Sequence, residues 1–242
     1  MKFGLIGRRL SHSFSKQFFA QYFEKHNIKA QYDNIELNEV DDFKCIIQCG
    51  GYSGFSVTNP YKELIMMYLD EIDKIAKAVG AVNCIKVEDG RLIGYNTDIY
   101  GFRTSIEPYL KPFHKRALIL GSGGASKAVQ AAFRELSIDY HIVSRNVQDN
   151  TILYNEVDKS LIETHQIVVN ATPLGMFPNI EEYPDIPYQH FGNRHIMFDL
   201  IYNPEKTVFL KKGEQQKAVI INGLKMLHLQ ALKAIEIFGL TK

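Results

Sequence analysis

Two residues in this chain sit where a proton could be moved: a lysine in "GFSVTNPYKE" and an aspartate in "LIGYNTDIYGF". The first run reads as a helix from Asn59 to Val79, with Asn59 as its cap and Pro60 at its first position. Lys62 then falls in the first turn, where a cation faces the positive end of the helix dipole. Glu63 is the local counter-charge, and the placement disfavours the ammonium, as suits a proton-transfer group. Without a partner, Lys62 is as well read as a solvated surface lysine. Asp98 is most simply a helix N-cap or first-turn acid. Yet Asn83 in "GAVNCI" and Asn96-Thr97 stand at the two ends of one hairpin, so polar groups converge beside it. A Lys–Asp pair there could hold and transfer a proton, its titration belonging to the pair.

A second polar cluster, "LSHSFSKQFF", puts Ser13 and Ser15 at a strand-to-helix junction. Ser15 caps the Phe18 helix, or the two hydroxyls hold a small carboxylate at the helix start. Further on, "RALILGSGGASKAVQAAFREL" reads as an apolar strand, a glycine turn and a helix. Gly121 and Gly123 occupy the first two positions of a G-x-G-x-x-G/A pattern, and Ser126 takes the third, where a small residue suffices. Such a turn brings backbone N–H groups and a helix dipole onto a pyrophosphate. The next strand, "YHIVSRN", lacks the terminal acid that an NAD site uses to hold the ribose. Ser144-Arg145-Asn146 offers a hydroxyl and a guanidinium fork instead, which suits a 2′-phosphate and favours NADP. A solvated surface arginine is the plainer alternative.

Positioning these groups falls to alternating strands and helices, the pattern of α/β layers around parallel sheets. "FGLIG", "QYDNIEL" and "GFSVT" read as strands, and "AVNCIKVEDGRLIGYN" as a hairpin turning at Asp89-Gly90. A helix follows over "DIYGFRTSIEPYL". After the glycine turn, "YHIVS", "QIVVNA", "IMFDLI" and "AVIIN" are apolar runs suited to strands covered on both faces. The chain ends in a long amphipathic helix, "GLKMLHLQALKAIEIFG". The expected division is a substrate-binding catalytic domain over 1–103, joined by the helix 223–242, and a Rossmann-like nucleotide domain over 104–222. The last helix is expected to pack back on the N-terminal domain.

Composition narrows the class. The 242 residues are 45% apolar and carry a net charge of +1, which argues against a nucleic-acid surface. No apolar run nears the roughly 18 residues of a membrane span. "MKFGLIGRRLSHS" lacks a signal-peptide core, so a cytoplasmic protein is expected. Cys45 and Cys49, four apart in "CIIQC", have no partners for a metal site and read as buried free thiols on a helix; no metal is expected.

The motifs "SHSFS", "VTNPYK", "GAVN", "NTD", "GSGGAS", "NATPLGM", "FDLIYNP" and "NGLKMLHLQ", in this order and spacing, resemble the shikimate dehydrogenase family over nearly the whole chain. That resemblance implies reversible NADPH-dependent reduction of 3-dehydroshikimate to shikimate, on the way to chorismate and the aromatic amino acids. It makes Lys62 and Asp98 the catalytic pair. Ser13 and Ser15, helped by Tyr202, would bind the substrate carboxylate; Thr58, Asn83, Asp98 and Gln230 would hold the ring hydroxyls. Gly121, Ser122, Gly123, Gly124 and Ala125 would cradle the pyrophosphate, and Ser144 and Arg145 would meet the 2′-phosphate. Asn170 to Pro173, including Thr172, would line the nicotinamide end with Leu200 and Gly223. The implied partner is a small molecule and the implied assembly a monomer or homodimer.

The chain departs from the family pattern at several points. Many relatives carry Asn-Arg-Thr after the second nucleotide-domain strand, with a further arginine where this chain has Asp149. "SFSK" lacks a proline common after the second serine, and Lys225 replaces a common glycine. An NAD-preferring quinate/shikimate dehydrogenase therefore stays open, as does a non-catalytic nucleotide-binding regulator on the same fold.

Overall fold

Alternation along short apolar runs sets the layers of this α/β protein. The computed structural model describes residues 1–10, 13–146 and 151–241, and the chain forms two compact units, Met1–Thr97 with Ala231–Lys242 and Asp98–Gln230.

The first unit runs β1 (Lys2–Gly7), α1 (Phe14–Lys25), β2 (Gln31–Glu36), α2 (Phe43–Cys49), β3 (Gly54–Val57), β4 (Glu71–Ile72), α3 (Lys74–Val79), β5 (Cys84–Glu88) and β6 (Arg91–Tyr95). Its sheet has the order β2-β1-β3-β5-β6-β4. Strands β1, β2 and β3 run parallel, while β3, β5 and β6 pair antiparallel. Successive side chains point to opposite faces. Phe3 and Leu5 therefore join Phe19 and Phe23 of α1 on one face, whereas Ile6 joins Phe43, Phe55 and Tyr61 on the other. The β5–β6 turn is the expected one: Asp89 and Gly90 both have positive φ, 51° and 77°, as a type I′ turn requires.

The second unit contains α4 (Asp98–Ile106), β7 (Arg116–Leu120), α5 (Gly124–Glu135), β8 (Asp139–Ser144), β9 (Thr151–Leu153), α6 (Lys159–Thr164), β10 (Ile167–Asn170), β11 (Ile196–Asp199), α7 (Val208–Gln215) and β12 (Val219–Ile221). Its strands are ordered β12-β11-β10-β7-β8-β9, all parallel. Read from the β9 edge and numbered from β7, this is the 3-2-1-4-5-6 order of a doubly wound dinucleotide-binding sheet, with its switch point between β7 and β10. Phe102 of α4 packs on Phe133 of α5 and on Phe198 of β11. On the other face, Leu118, Val168 and Met197 meet Ile162, Phe209 and Leu210. The closing helix α8 (Leu224–Ile237) runs from this unit into the first, where Ala231, Ala234, Ile235 and the following Phe238 join the Phe3 cluster. Gly54 leaves room for Phe238, whose ring a Cβ there would meet at 2.6 Å.

Four expectations need correction. The run after Asn59 is no continuous helix: it is a turn, a 3-10 helix (Leu64–Tyr68), β4 and α3. Tertiary partners claim the groups that a helix would use. The Lys62 carbonyl accepts from Val82 N at 2.8 Å, and the buried Tyr61 hydroxyl donates to the carbonyls of Leu37 and Asn38. The dipole argument for Lys62 lapses with that helix. Ser13, not Ser15, caps α1, its Oγ accepting from Lys16 N. Cys45 and Cys49 are free but exposed, since α2 turns Phe43 rather than its cysteines to the core; Cys84 is the buried thiol. Finally, β8 and the edge strand β12 are only partly buried, unlike β10 and β11.

Ile235 is fully buried at the seam between α8 and the Phe3 cluster. Ile235→Ala is expected to lower stability by about 2–4 kcal/mol, read as a lower urea midpoint; an unchanged midpoint would show that α8 is not part of that core.

Candidate active site

In the first unit the polar groups gather where β1 and β3 end. Thr58 N donates to Ile6 O at 2.9 Å and Val57 N to Asn83 O at 2.8 Å, so the segment after β3 is pinned to β1 on one side and to Asn83 on the other. Gly7 permits this approach, because a Cβ there would lie 2.7 Å from the Thr58 methyl. Val82, which holds the Lys62 carbonyl, immediately precedes Asn83. Asn83 is 4% exposed; its Oδ1 accepts from Thr97 N at 2.7 Å and its Nδ2 donates to Thr97 Oγ1 at 3.0 Å. Asn96 Nδ2 donates to Ala81 O alongside. One hydrogen-bonded path therefore runs from Lys62 through Val82 and Asn83 to Thr97, the residue before Asp98.

The serines sit at the β1–α1 connection. Leu10 is held by Glu36 Oε1, which accepts from its N–H, and by Asn34 Nδ2, which donates to its carbonyl. Ser13 follows as the α1 cap, and Ser56 and Ser15 both face the Tyr32 hydroxyl, a buried group whose phenol burial pushes up and which makes no well-formed hydrogen bond among the described residues. Ser11 and His12 of "SHSFS" lie outside the described residues, as does Asp149.

In the second unit Asp98 opens α4 and is 8% exposed. One turn later, Gly101 is pressed against α8: a Cβ would lie 2.7 Å from Met226 O and 3.1 Å from the Gln230 Cβ. That contact sets Gln230, whose Nε2 donates to Leu227 O, beside the turn that follows Asp98. Tyr202 stands exposed after β11.

The switch point forms the nucleotide crevice. Gly121 has φ +104°, where glycine is needed, and its would-be Cβ meets Thr172 Cγ2 at 3.0 Å. Ala171 N donates to Leu120 O, holding the loop after β10 against the glycine turn. Ser126, in the first turn of α5, is fully buried, which explains the small third position. Gly123 differs: its φ is −76°, and a Cβ would meet no protein atom within 4 Å. Neither backbone nor packing requires glycine there, whereas close approach of a pyrophosphate would. Ser122, Gly124 and Ala125 complete the turn at the start of α5, whose first N–H groups lack helical partners. These residues fit a dinucleotide. Ser144 is buried and its Oγ accepts from Asn146 N, leaving its proton to donate. Arg145 is exposed; its charge acts on the Tyr154 phenol, which burial pushes up to about 12.

Gly223 has a packing reason as well, since a Cβ would sit 2.1 Å from Leu200 O, and its N–H donates to Ile201 O. Asn170 and Thr172 belong to a network that sequence reading missed. Asp199, at the carboxyl end of β11, accepts from Asn170 Nδ2, Ile201 N and Thr207 Oγ1. The available signal was an acid closing the apolar run "IMFD". Burial raises the Asp199 pKa to about 6, partly offset by those hydrogen bonds. Among the described residues no His, Cys, Asp and Glu side chains group as metal ligands, and no helix is long and apolar enough to cross a membrane.

Comparison with known proteins agrees with this architecture. Residues 5–85 match the shikimate dehydrogenase substrate binding domain family. Shikimate dehydrogenase (NADP(+)) of Clostridium botulinum is 36% identical, over 98% of this chain and 96% of its own. The crystal structure of shikimate dehydrogenase 1 from Peptoclostridium difficile is 39% identical, with TM-score 0.85 over 100% of this chain and 92% of its own. Shikimate 5-dehydrogenase from Thermus thermophilus, solved with NADP(H) and shikimate, is 28% identical, with TM-score 0.87 over 98% of this chain and 93% of its own. With a shared sequence of this length and a shared two-unit fold, the chain belongs to the shikimate dehydrogenase family.

Proposed function

We propose that the protein is an NADP-dependent shikimate dehydrogenase, reducing 3-dehydroshikimate reversibly to shikimate. The observation that carries this reading is the hydrogen-bonded path from Lys62 through Asn83 to Thr97, joined in sequence to Asp98. It ties together the residues that the family uses for proton transfer and hydroxyl recognition. Bound NADPH supplies the hydride for the ring ketone. Gly121 to Ala125 hold its pyrophosphate, Ser144 and Arg145 its 2′-phosphate, and Asn170, Thr172, Leu200 and Gly223 its nicotinamide end.

Hydride arrival leaves negative charge on the former ketone oxygen. Lys62, as ammonium, gives that oxygen its proton, and in the oxidative direction neutral Lys62 takes the proton back. Asp98 orients the lysine and accepts from a neighbouring ring hydroxyl, with Thr58, Asn83 and Gln230 holding the others. Ser13 and Ser15 bind the carboxylate with Tyr202. Ser15 need not cap α1, because Ser13 does, so its hydroxyl is not committed to a helix end. Arg145, with no acid at the Ser144-Arg145-Asn146 tip of β8, supports NADP over NAD. A cytosolic location is part of the reading, supported by three free thiols. Assembly no larger than a homodimer is the other part, and gel filtration reads it directly.

The direct test is loss of NADPH absorbance on adding 3-dehydroshikimate to the purified protein. A strong preference for NADH and quinate would overturn the substrate and cofactor assignment, and NADPH binding without turnover would make the protein a sensor. Lys62→Ala is expected to lower kcat by about 10²–10⁴-fold with little change in NADPH affinity; equal losses in both would reduce Lys62 to a binding role. Gly123→Ala is expected to weaken NADPH binding by about tenfold or more while the urea midpoint barely moves. A stability loss at undiminished affinity would remove the pyrophosphate from that turn.

A further inference from the structure

Asp199 is fully buried, yet the partners described for its carboxylate all donate. Oδ1 accepts from Asn170 Nδ2 at 3.1 Å and from Ile201 N at 3.0 Å, and Oδ2 accepts from Thr207 Oγ1 at 2.6 Å. A carboxylate meets all three as an acceptor; a protonated acid could do so only by donating from Oδ2 to Thr207 Oγ1, which would leave the buried Thr207 proton without a described acceptor. Its demand propagates. With its amide nitrogen turned to Asp199, Asn170 presents Oδ1 to Thr172, accepting from both N (3.1 Å) and Oγ1 (2.6 Å). Thr172 Oγ1 then accepts from Leu174 N, while Thr172 Cγ2 lies against the position where Gly121 lacks a Cβ. On the other side, Ile201 N fixes the segment that carries Leu200, whose carbonyl crowds Gly223. Both loops assigned to the nicotinamide end thus take their shape from one acceptor.

We propose that Asp199, as a carboxylate, is a positioning residue for cofactor binding, holding the Asn170–Thr172 and Leu200–Ile201 segments in the form that receives the nicotinamide half of NADP. This rests on the cofactor reading above and adds a residue that touches neither substrate nor cofactor. An asparagine at 199 keeps the shape but offers one acceptor oxygen, so its NH₂ either faces a loop donor or turns to Thr207 Oγ1 and strands that hydroxyl's own proton. Protonation of Asp199 has the same consequence.

The proposal separates the two ends of one ligand. 2′,5′-ADP carries the adenosine half of NADP and lacks the nicotinamide. In Asp199→Asn, the Kd for NADP⁺ is expected to rise about tenfold or more, while that for 2′,5′-ADP stays within about twofold of the wild type. General loosening of the fold would weaken both. The wild type gives a second reading without mutation: the ratio of NADP⁺ to 2′,5′-ADP affinity is expected to fall as pH drops through about 6. Among the described residues, the titratable side chain whose charge interacts with Asp199 is Tyr188, from the 3-10 turn between β10 and β11, and burial keeps its phenol protonated throughout that range. The groups facing it from β10, the segment after β11 and the start of α7 are Asn170, Ile201 N and Thr207, which do not ionise. Thr207→Val removes one donor and is expected to move that pH midpoint upward, a shift that a purely structural role would not produce.

Equal weakening of both ligands in Asp199→Asn, or a wild-type affinity ratio independent of pH, would overturn the proposal. Should Asp199→Asn fail to fold, the wild-type ratio and Thr207→Val decide it. A wild type that binds NADP⁺ normally but turns over no 3-dehydroshikimate would defeat the proposed reaction and leave this test readable; no NADP⁺ binding at all would sink both.

Discussion

Asn83 must satisfy its polar atoms inside the first unit, and that requirement fixes where the chain can carry its ionisable groups. A buried amide without partners costs on the order of 1–3 kcal/mol, so its bonds are obligations of the fold. Its carbonyl takes Val57 N, its N–H gives to Tyr95 O, and its side chain closes on Thr97. These bonds draw the end of β3, the hairpin and the approach to α4 to one point. Val82, the residue before it, adds Lys62. A residue proposed to hold a ring hydroxyl is thus also the bracket for its neighbours.

The glycines divide along the same line between folding and function. Gly101, Gly121 and Gly223 are demanded by the protein itself: a Cβ would strike Met226 O, crowd Thr172 or overlap Leu200 O. Gly123 has neither positive φ nor a crowded neighbour. Counting glycines in a motif hides this difference, since G-x-G looks alike whether a strand, a helix or a ligand is the reason. Geometry separates them, and of these four Gly123 is the one whose lack of a side chain the protein's own atoms do not require.

What was legible in the sequence was local. Asp89-Gly90 specifies its own turn, the apolar runs "QIVVNA" and "IMFDLI" specify buried strands, and the glycine turn is read from its flanks. The run after Asn59 was misread because its helical spacing serves other ends: Tyr61 and Ile65 fill a core, and the Lys62 carbonyl is taken by Val82. Ser13 and Ser15 could not be told apart as caps, since either hydroxyl suits the helix start by type; two residues of register decide it. Asp199 was passed over because its role depends on Asn170 and Thr207, each distant in sequence or hidden within another motif.

Asp199 also shows how a site requirement can oppose stability. The surface carboxylate Asp41 acts in the usual direction: the Tyr68 hydroxyl and then Lys44 hold it below its ordinary value, so its contribution is present above the unfolded pKa and lost as pH falls. Asp199 is displaced the other way, to about 6, because burial outweighs its hydrogen bonds. Between the unfolded value and about 6 the folded chain binds more protons than the unfolded chain, so this group's contribution to stability declines as pH rises through that window. Above it, keeping the charge buried costs on the order of 3 kcal/mol. A neutral, apolar core residue would spare the fold that cost but would leave Asn170, Ile201 N and Thr207 with nothing to accept their protons. The acid therefore offsets its own burial cost by satisfying three donors that would otherwise be stranded, and the loops it orders are those on which the proposed cofactor geometry rests.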